Sequence, residues 1–279
     1  MMDYTTHIKS KSGWFDIDLR ELFRYKDLVF LFFKRNYTTR YKQTILGPMW
    51  LIIKPLMTVI LQTFVFGNLA GLSEEGVPPF VFYLCGNAMW SFFAACLTQT
   101  SSTFTANAGI MGKVYFPRLV MPVSSVMTSA LDFFIQLGML VVVMAGYAIK
   151  GYDFGFGITL ALVPVLILQT GIFGLGCGII VASLTTKYRD LSVLAEFGVQ
   201  LWMYATPVVY TIALIPSRFL KFYMLNPMAA IMMCWRKSLI GCGEIMWGYW
   251  GISWIVTFLV LFIGVLIFSK IEKTFMDTV

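Results

Sequence analysis

Residues 40–55 read RYKQTILGPMWLIIKP, and the fold turns on how this stretch changes character. Arg40, Tyr41 and Lys42 are cationic and aromatic, and after Leu46-Gly47-Pro48 a long apolar run opens at Met49 and Trp50. Cations and tyrosine suit a headgroup boundary, where one side chain meets both water and acyl chain. Proline is tolerated in the first turn of a helix, because the N–H it lacks has no partner there. The stretch marks the point where the chain enters a membrane.

Composition agrees with that reading. Of 279 residues, 58% are hydrophobic, 16% aromatic and only 13% charged, outside the range of soluble domains. A helical span needs about 20 mostly apolar residues to cross roughly 30 Å of hydrocarbon. Six stretches qualify, at about 49–69, 79–105, 122–149, 158–183, 194–213 and 247–269. The expected fold class is an all-α integral membrane protein with six transmembrane helices. Residues 1–44 are too charged to hold the apolar core of a cleaved signal peptide, so the first span is expected to direct insertion. The expected division is an N-terminal segment 1–45, a membrane domain 46–270 and a C-terminal segment 271–279.

With six spans, both termini share one side with the loops near 106–121 and 184–193. That side carries fifteen lysines and arginines, the opposite side five, and Lys54 lies within a span. The excess places both termini in the cytoplasm by the positive-inside rule. The net charge of +7 is therefore topological and does not signal nucleic-acid binding.

Asp18 and Glu21 form a plausible capping pair for a helix beginning near Leu19. Leu22, Phe23, Val29, Phe30 and Phe33 can share one face, with Arg20, Arg24, Asp27 and Lys34 on others. Such a helix either lies in the headgroup plane or packs on the protein itself. In the next loop, NAGIMGKVYFPRLVMP (107–122), Ile110, Met111, Val114 and Tyr115 follow helical spacing, and Pro117 closes the segment. A short docking helix and a membrane-surface turn both fit. Between spans five and six, the pieces 219–225 and 228–240 are too short to cross. They fit re-entrant half-helices or helices lying on the outer leaflet.

These stretches share a resemblance. Arg40-Tyr41-Lys42-Gln43-Thr44-x-Leu46-Gly47-x-x-Trp50 resembles the start of the first span in permease subunits of ABC-type polysaccharide exporters, with Thr44 standing for a serine. Lys113-x-x-Phe116-Pro117-Arg118, the weaker Tyr188-Arg189-Asp190, and Thr206-Pro207-x-x-Tyr210 followed by Asn226-Pro227 and Arg236 also resemble that family, in the same order. The resemblance implies a type-2 ABC transmembrane domain with an N-terminal interface helix and re-entrant periplasmic half-helices. It implies that Lys113, Phe116, Pro117, Arg118, Tyr188, Arg189 and Asp190 face the ATPase. It also implies two copies of the chain, two ATPase subunits that hold ATP and Mg, and a glycan on a polyprenyl-diphosphate carrier. The setting it implies is the bacterial inner membrane.

Absences narrow the chemistry. No Gly-x-x-x-x-Gly-Lys-Ser/Thr phosphate loop occurs, so ATP hydrolysis is expected in a partner and no cofactor on this chain. The single histidine, His7, argues against a His-based metal site or catalytic triad. No paired acids mark a glycan-modifying enzyme. Gly174-x-x-x-Gly178 within an apolar run reads as close helix packing. Cys234 and Cys242 lie where a disulfide is chemically possible, without a spacing that demands one.

Ionisable residues within spans are costly and invite a functional reading. Lys54 and Asp132 enter from the same face and are expected at similar depths, either as an ion pair or with Lys54 snorkelling to the interface. Arg35, Arg40 and Lys42 stand where a diphosphate headgroup would arrive, and guanidinium groups bind phosphate through paired hydrogen bonds. They serve equally as topology anchors. Trp90, Phe93, Phe104, Trp202, Tyr204 and Tyr210 are candidates for stacking on a sliding glycan, and Phe219, Phe222 and Tyr223 for a periplasmic gate. The expected function is the membrane subunit of an ATP-driven exporter of lipid-linked, O-antigen-type polysaccharide. The alternatives are a capsule or teichoic-acid exporter and, from another class, a passive channel.

Overall fold

The computed structural model describes residues 23–42, 45–74, 76–111, 116–155, 157–185 and 190–275. Within them the chain is helical and without strands: α1 (Lys26–Tyr41), α2 (Trp50–Gln62), α3 (Pro79–Ser101), α4 (Thr103–Met111) and α5 (Val120–Ile149) come first. There follow α6 (Val163–Thr185), α7 (Leu191–Tyr204), α8 (Ser217–Tyr223), α9 (Pro227–Ile240) and α10 (Trp247–Phe275). A 3-10 turn at Gly47–Met49 leads into α2, and a π turn at Thr63–Leu69 extends it. The expected proline at the helix start is Pro48, in that 3-10 turn.

Among the described residues, five stretches are long and apolar enough to cross a membrane: Gly47–Leu69, Pro79–Ser101, Val120–Ile149, Ile158–Thr185 and Trp247–Lys270. The stretch expected to supply another, 194–213, holds only the 14-residue α7. At 1.5 Å per residue, α7 is about 21 Å long, less than the hydrocarbon thickness. Its apolar character continues to 213, but Pro207 disfavours a helical Thr206, and the helix stops at Tyr204.

α3 is the centre of the molecule, buried on nearly every side, with α5, α6, α2 and α9 packed around it. α6 in turn lies between α3 and α10. Its glycines explain how closely the three helices approach. A Cβ on Gly174 would stand 2.6 Å from Cys96 Cβ, and one on Gly178 2.5 Å from Thr100 Cβ, so this face of α6 admits no larger residue. Gly176 serves the α10 side, where a Cβ would meet Leu261 Cα at 2.9 Å. Gly264 closes the same contact against the Gly176 carbonyl, 2.9 Å from its own notional Cβ. The close-packing reading of Gly174-x-x-x-Gly178 therefore holds. Buried Gln169 ties α6 to α10, donating to Ser253 Oγ at 2.6 Å and accepting from Trp250 Nε1 at 2.9 Å.

Two peripheral helices contrast with this block. α2 buries only Pro55, Val59 and Gln62, and α7 only Val199. Met57, Leu61 and Phe64 on the first segment, and Val193, Leu194, Phe197 and Leu201 on α7, are exposed.

Candidate functional site

A second core forms where α1 meets the beginning of α5. Val29, Phe32, Phe104, Phe116, Val120, Met121, Ile179, Ala182 and Phe268 are buried together there. The rings of Phe32 and Phe116 lie 5.6 Å apart, and those of Phe104 and Phe268 5.1 Å. Phe116 thus faces inward and fastens its loop to the body. It is not free to touch a partner directly. Pro117 beside it is half-buried and Arg118 is buried. Lys113, Tyr188 and Arg189 lie outside the described residues; Asp190 is exposed at the start of α7. Phe104, expected beside a glycan, belongs to this inner core, because α3 breaks at Ser102 and α4 turns its ring toward α10.

α1 does not present the face expected of it. Val29 and Phe32 point into the protein, whereas Phe23, Phe30 and Leu31 are exposed. Contacts at its middle and at its C-terminal end fix its course. Phe32 meets Phe116, just before α5, while Arg40 forms an ion pair with Asp132, twelve residues into α5. Eight residues of α1 span about 12 Å and twelve of α5 about 18 Å, so α1 runs largely alongside the N-terminal part of α5. α5 has 30 residues, about 45 Å, more than the roughly 30 Å of hydrocarbon. The buried face of its first turns is hydroxyl-rich, with Ser124, Ser125, Thr128 and Ser129. Ser124, Thr128 and Ser129 each donate to a carbonyl of their own helix.

The ion pair is a correction. Asp132 was expected to pair with Lys54, but Arg40 holds its carboxylate and Lys54 is exposed. Arg40 comes from α1, whose course beside α5 the sequence did not reveal. The Arg40 side chain keeps 39% of its surface exposed and that of Asp132 12%, so the pair is open on the arginine side. Arg35 donates to Asn107 Oδ1 at 2.6 Å and lies over Phe32, 4.7 Å from its centroid. Partial burial lowers its pKa from the ordinary arginine value. Lys42 is exposed.

In the middle of the fold, Trp90, Phe93, Phe173 and Trp202 form one aromatic cluster. Phe93 stacks on Phe173 at 5.3 Å and meets Trp202 edge-on at 5.1 Å. Trp90 and Phe93 are core residues rather than an open wall, because α3 is enclosed on all sides. Trp202 and Tyr210 are half-buried, and Tyr204 is exposed.

The break after α7 is held by two side chains. Asn226 accepts from Trp202 Nε1 at 3.1 Å and from Met228 N at 3.1 Å, capping α9. Its amide nitrogen donates to the Ala205 carbonyl at 3.1 Å and to Thr206 Oγ1 at 2.9 Å. Arg236, buried on α9, donates to the Val208 carbonyl at 2.6 Å and the Tyr210 carbonyl at 3.1 Å. Gly86 makes room for this, since a Cβ there would meet both Arg236 Nη2 and Val208 O at 2.9 Å. Tyr210 joins Tyr223 hydroxyl to hydroxyl at 3.0 Å, which ties α8 to the break. Phe219 and Phe222, expected to act with Tyr223, are instead exposed on α8. Cys234 and Cys242 are free thiols.

Sequence reasoning singled out Asn226 and Arg236 but missed Phe32, Gly86 and Asn107. Gly86 had a signal, as a glycine inside a helix of bulky apolar residues. Asn107 had none.

Comparison with known proteins covers this whole arrangement. The profile of the ABC-2 type transporter family matches residues 27–240. The chain is 28% identical over 253 residues to the O-antigen export system permease protein RfbA of Klebsiella pneumoniae, covering 90% of this chain and 94% of that one. A second Klebsiella pneumoniae protein of the same name is 29% identical over 257 residues, with the same coverage. One from Myxococcus xanthus is 27% identical over 219 residues, 77% of this chain and 80% of that one.

Proposed function

The chain belongs to the ABC-2 type transporter family, and from that premise we propose that it is the membrane subunit of an ATP-driven exporter of lipid-linked, O-antigen-type polysaccharide. The observation that carries this reading is the match to O-antigen export permeases across 90% of the chain. Two copies, each with an ATPase subunit, make up the exporter. Both termini lie in the cytoplasm and the chain crosses the inner membrane six times. α7 and the turn residues after it make the fifth crossing, and α8 and α9 re-enter from the periplasmic side.

Function follows from the two cores. The loop around 107–118 receives motion from the ATPase, and Phe116 passes it inward through Phe32 and Phe268 rather than by touching the partner. The exposed faces of α2 and α7 meet the second copy and the glycan. Tyr204, exposed on α7, is the aromatic best placed for stacking, while Trp90 and Phe93 stiffen the wall behind it. Tyr210 and Tyr223 hold the periplasmic end closed.

Deleting the gene and recovering lipid-linked glycans tests the reading. Loss of surface O-antigen with accumulation on the cytoplasmic face, restored by the intact gene but not beside an ATPase-dead partner, is expected. Accumulation of a capsular or teichoic-acid polymer would assign a different glycan. Export that continues without ATP hydrolysis would replace the exporter with a passive channel.

A further inference from the structure

Arg40 is committed to Asp132, yet over a third of its side chain faces outward. A guanidinium accepts a carboxylate or a phosphate in the same two-pronged geometry. Exchanging one anion for the other leaves the arginine paired throughout, and the cost of withdrawing it from the mostly buried Asp132 carboxylate is what the phosphate must exceed. We propose that Asp132 holds Arg40 as an internal competitor, and that a phosphate headgroup in the inner leaflet displaces it.

The proposal rests on the exporter reading and adds to it a regulatory step. Arg40 is the final turn of α1, and Phe32, about 12 Å back along the same helix, packs on Phe116. Arg35 between them is fixed on Asn107 of α4. Releasing Arg40 from α5 therefore frees the C-terminal end of a helix whose middle packs on Phe116. Headgroup arrival is reported to the loop by the loosening of α1.

The test uses the intact exporter complex in nanodiscs and a fluorescent polyprenyl diphosphate. Arg40→Ala is expected to weaken binding roughly tenfold, and Asp132→Asn to tighten it roughly threefold to tenfold, the range of a partly exposed ion pair. In the Arg40→Ala background, Asp132→Asn is expected to change nothing, because the competitor has lost its target. Asp132→Ser, which also removes the carboxylate, is expected to tighten binding in the same way and serves if the asparagine variant does not fold, while Asp132→Glu, which keeps the competitor, is expected to bind like the parent. Weakening by Arg40→Ala with no effect of Asp132→Asn would overturn the exchange while leaving the exporter reading intact. An effect of Asp132→Asn that persists without Arg40 would overturn it too. Inorganic diphosphate binding as tightly as the lipid would overturn the assignment to a lipid headgroup. No binding of the lipid to the parent complex would remove both the exchange and the lipid-carrier reading.

Discussion

Arg236 lies over the ring of Phe82, its guanidinium carbon 3.8 Å from the centroid, while its two terminal nitrogens hold the carbonyls of Val208 and Tyr210. One buried cation thereby joins α9 to α3 and to the non-helical stretch between α7 and α8. Two carbonyls freed by the break at Pro207 acquire donors that no helix supplies. An unpaired carbonyl at such depth would be costly.

Arg236→Lys keeps the charge but loses the fork that reaches two carbonyls at once. A stability loss of roughly 2–3 kcal/mol is expected, by analogy with hydrogen bonds to charged groups. Denaturant unfolding of the purified protein in detergent measures it. Arg236→Met is expected to lose more, since both carbonyls are then left without a donor. Equal stability of the parent and both variants would exclude the bridging role.

Asn226→Ala removes the cap of α9 and the acceptor of the Trp202 indole together. A cap alone is worth about 1 kcal/mol, and the indole, carbonyl and hydroxyl partners raise the expected loss to roughly 2–3 kcal/mol. Trp202 is one of eight tryptophans, so its emission is best followed after replacing it with phenylalanine and subtracting. The difference spectrum is expected to broaden and shift when Asn226 is lost; an unchanged spectrum would count against the indole contact.

Phe116→Ala opens a void in the inner core, where truncation of a buried phenylalanine costs about 3–5 kcal/mol. Phe116→Leu retains most of the volume and is expected to restore folding. Export and ATPase activity measured together in the leucine variant are expected to show ATP use retained and export reduced. Parallel retention of both activities would mean that the ring contact with Phe32 carries no coupling.

Tyr223→Phe deletes one hydroxyl of the Tyr210 pair and little else. Ion leakage through substrate-free vesicles is expected to rise for this variant and not for a Phe219→Ala, Phe222→Ala double variant, since those rings are exposed. The reverse ranking would return the gate to Phe219 and Phe222.

Much of the architecture was legible because a bilayer imposes a coarse rule: long apolar runs become helices. The stretch 194–213 holds a shorter helix than its hydrophobicity predicts, for a local reason. Hydrophobicity persists through it, while Pro207 ends the helix, and composition does not register backbone geometry. Lys54 misled for a different reason. Depth along two spans placed it near Asp132, but the actual partner, Arg40, arrives from a segment with no span of its own. The aromatic candidates divide for a third reason. Trp90 and Tyr204 look alike in a sequence, and only the enclosure of α3 and the openness of α7 tell core from surface.

The glycines of α6 have a mechanical consequence. With Gly174 and Gly178 set against α3 and Gly176 against α10, three backbones are locked at separations that exclude even a methyl group. Nothing the width of a sugar ring can thread such a block, and none of its helices can slide past another without a steric collision. On the proposed exporter reading, the cargo then travels around the rim, along α2 and α7, with the three-helix block as a fixed post against which lighter parts turn.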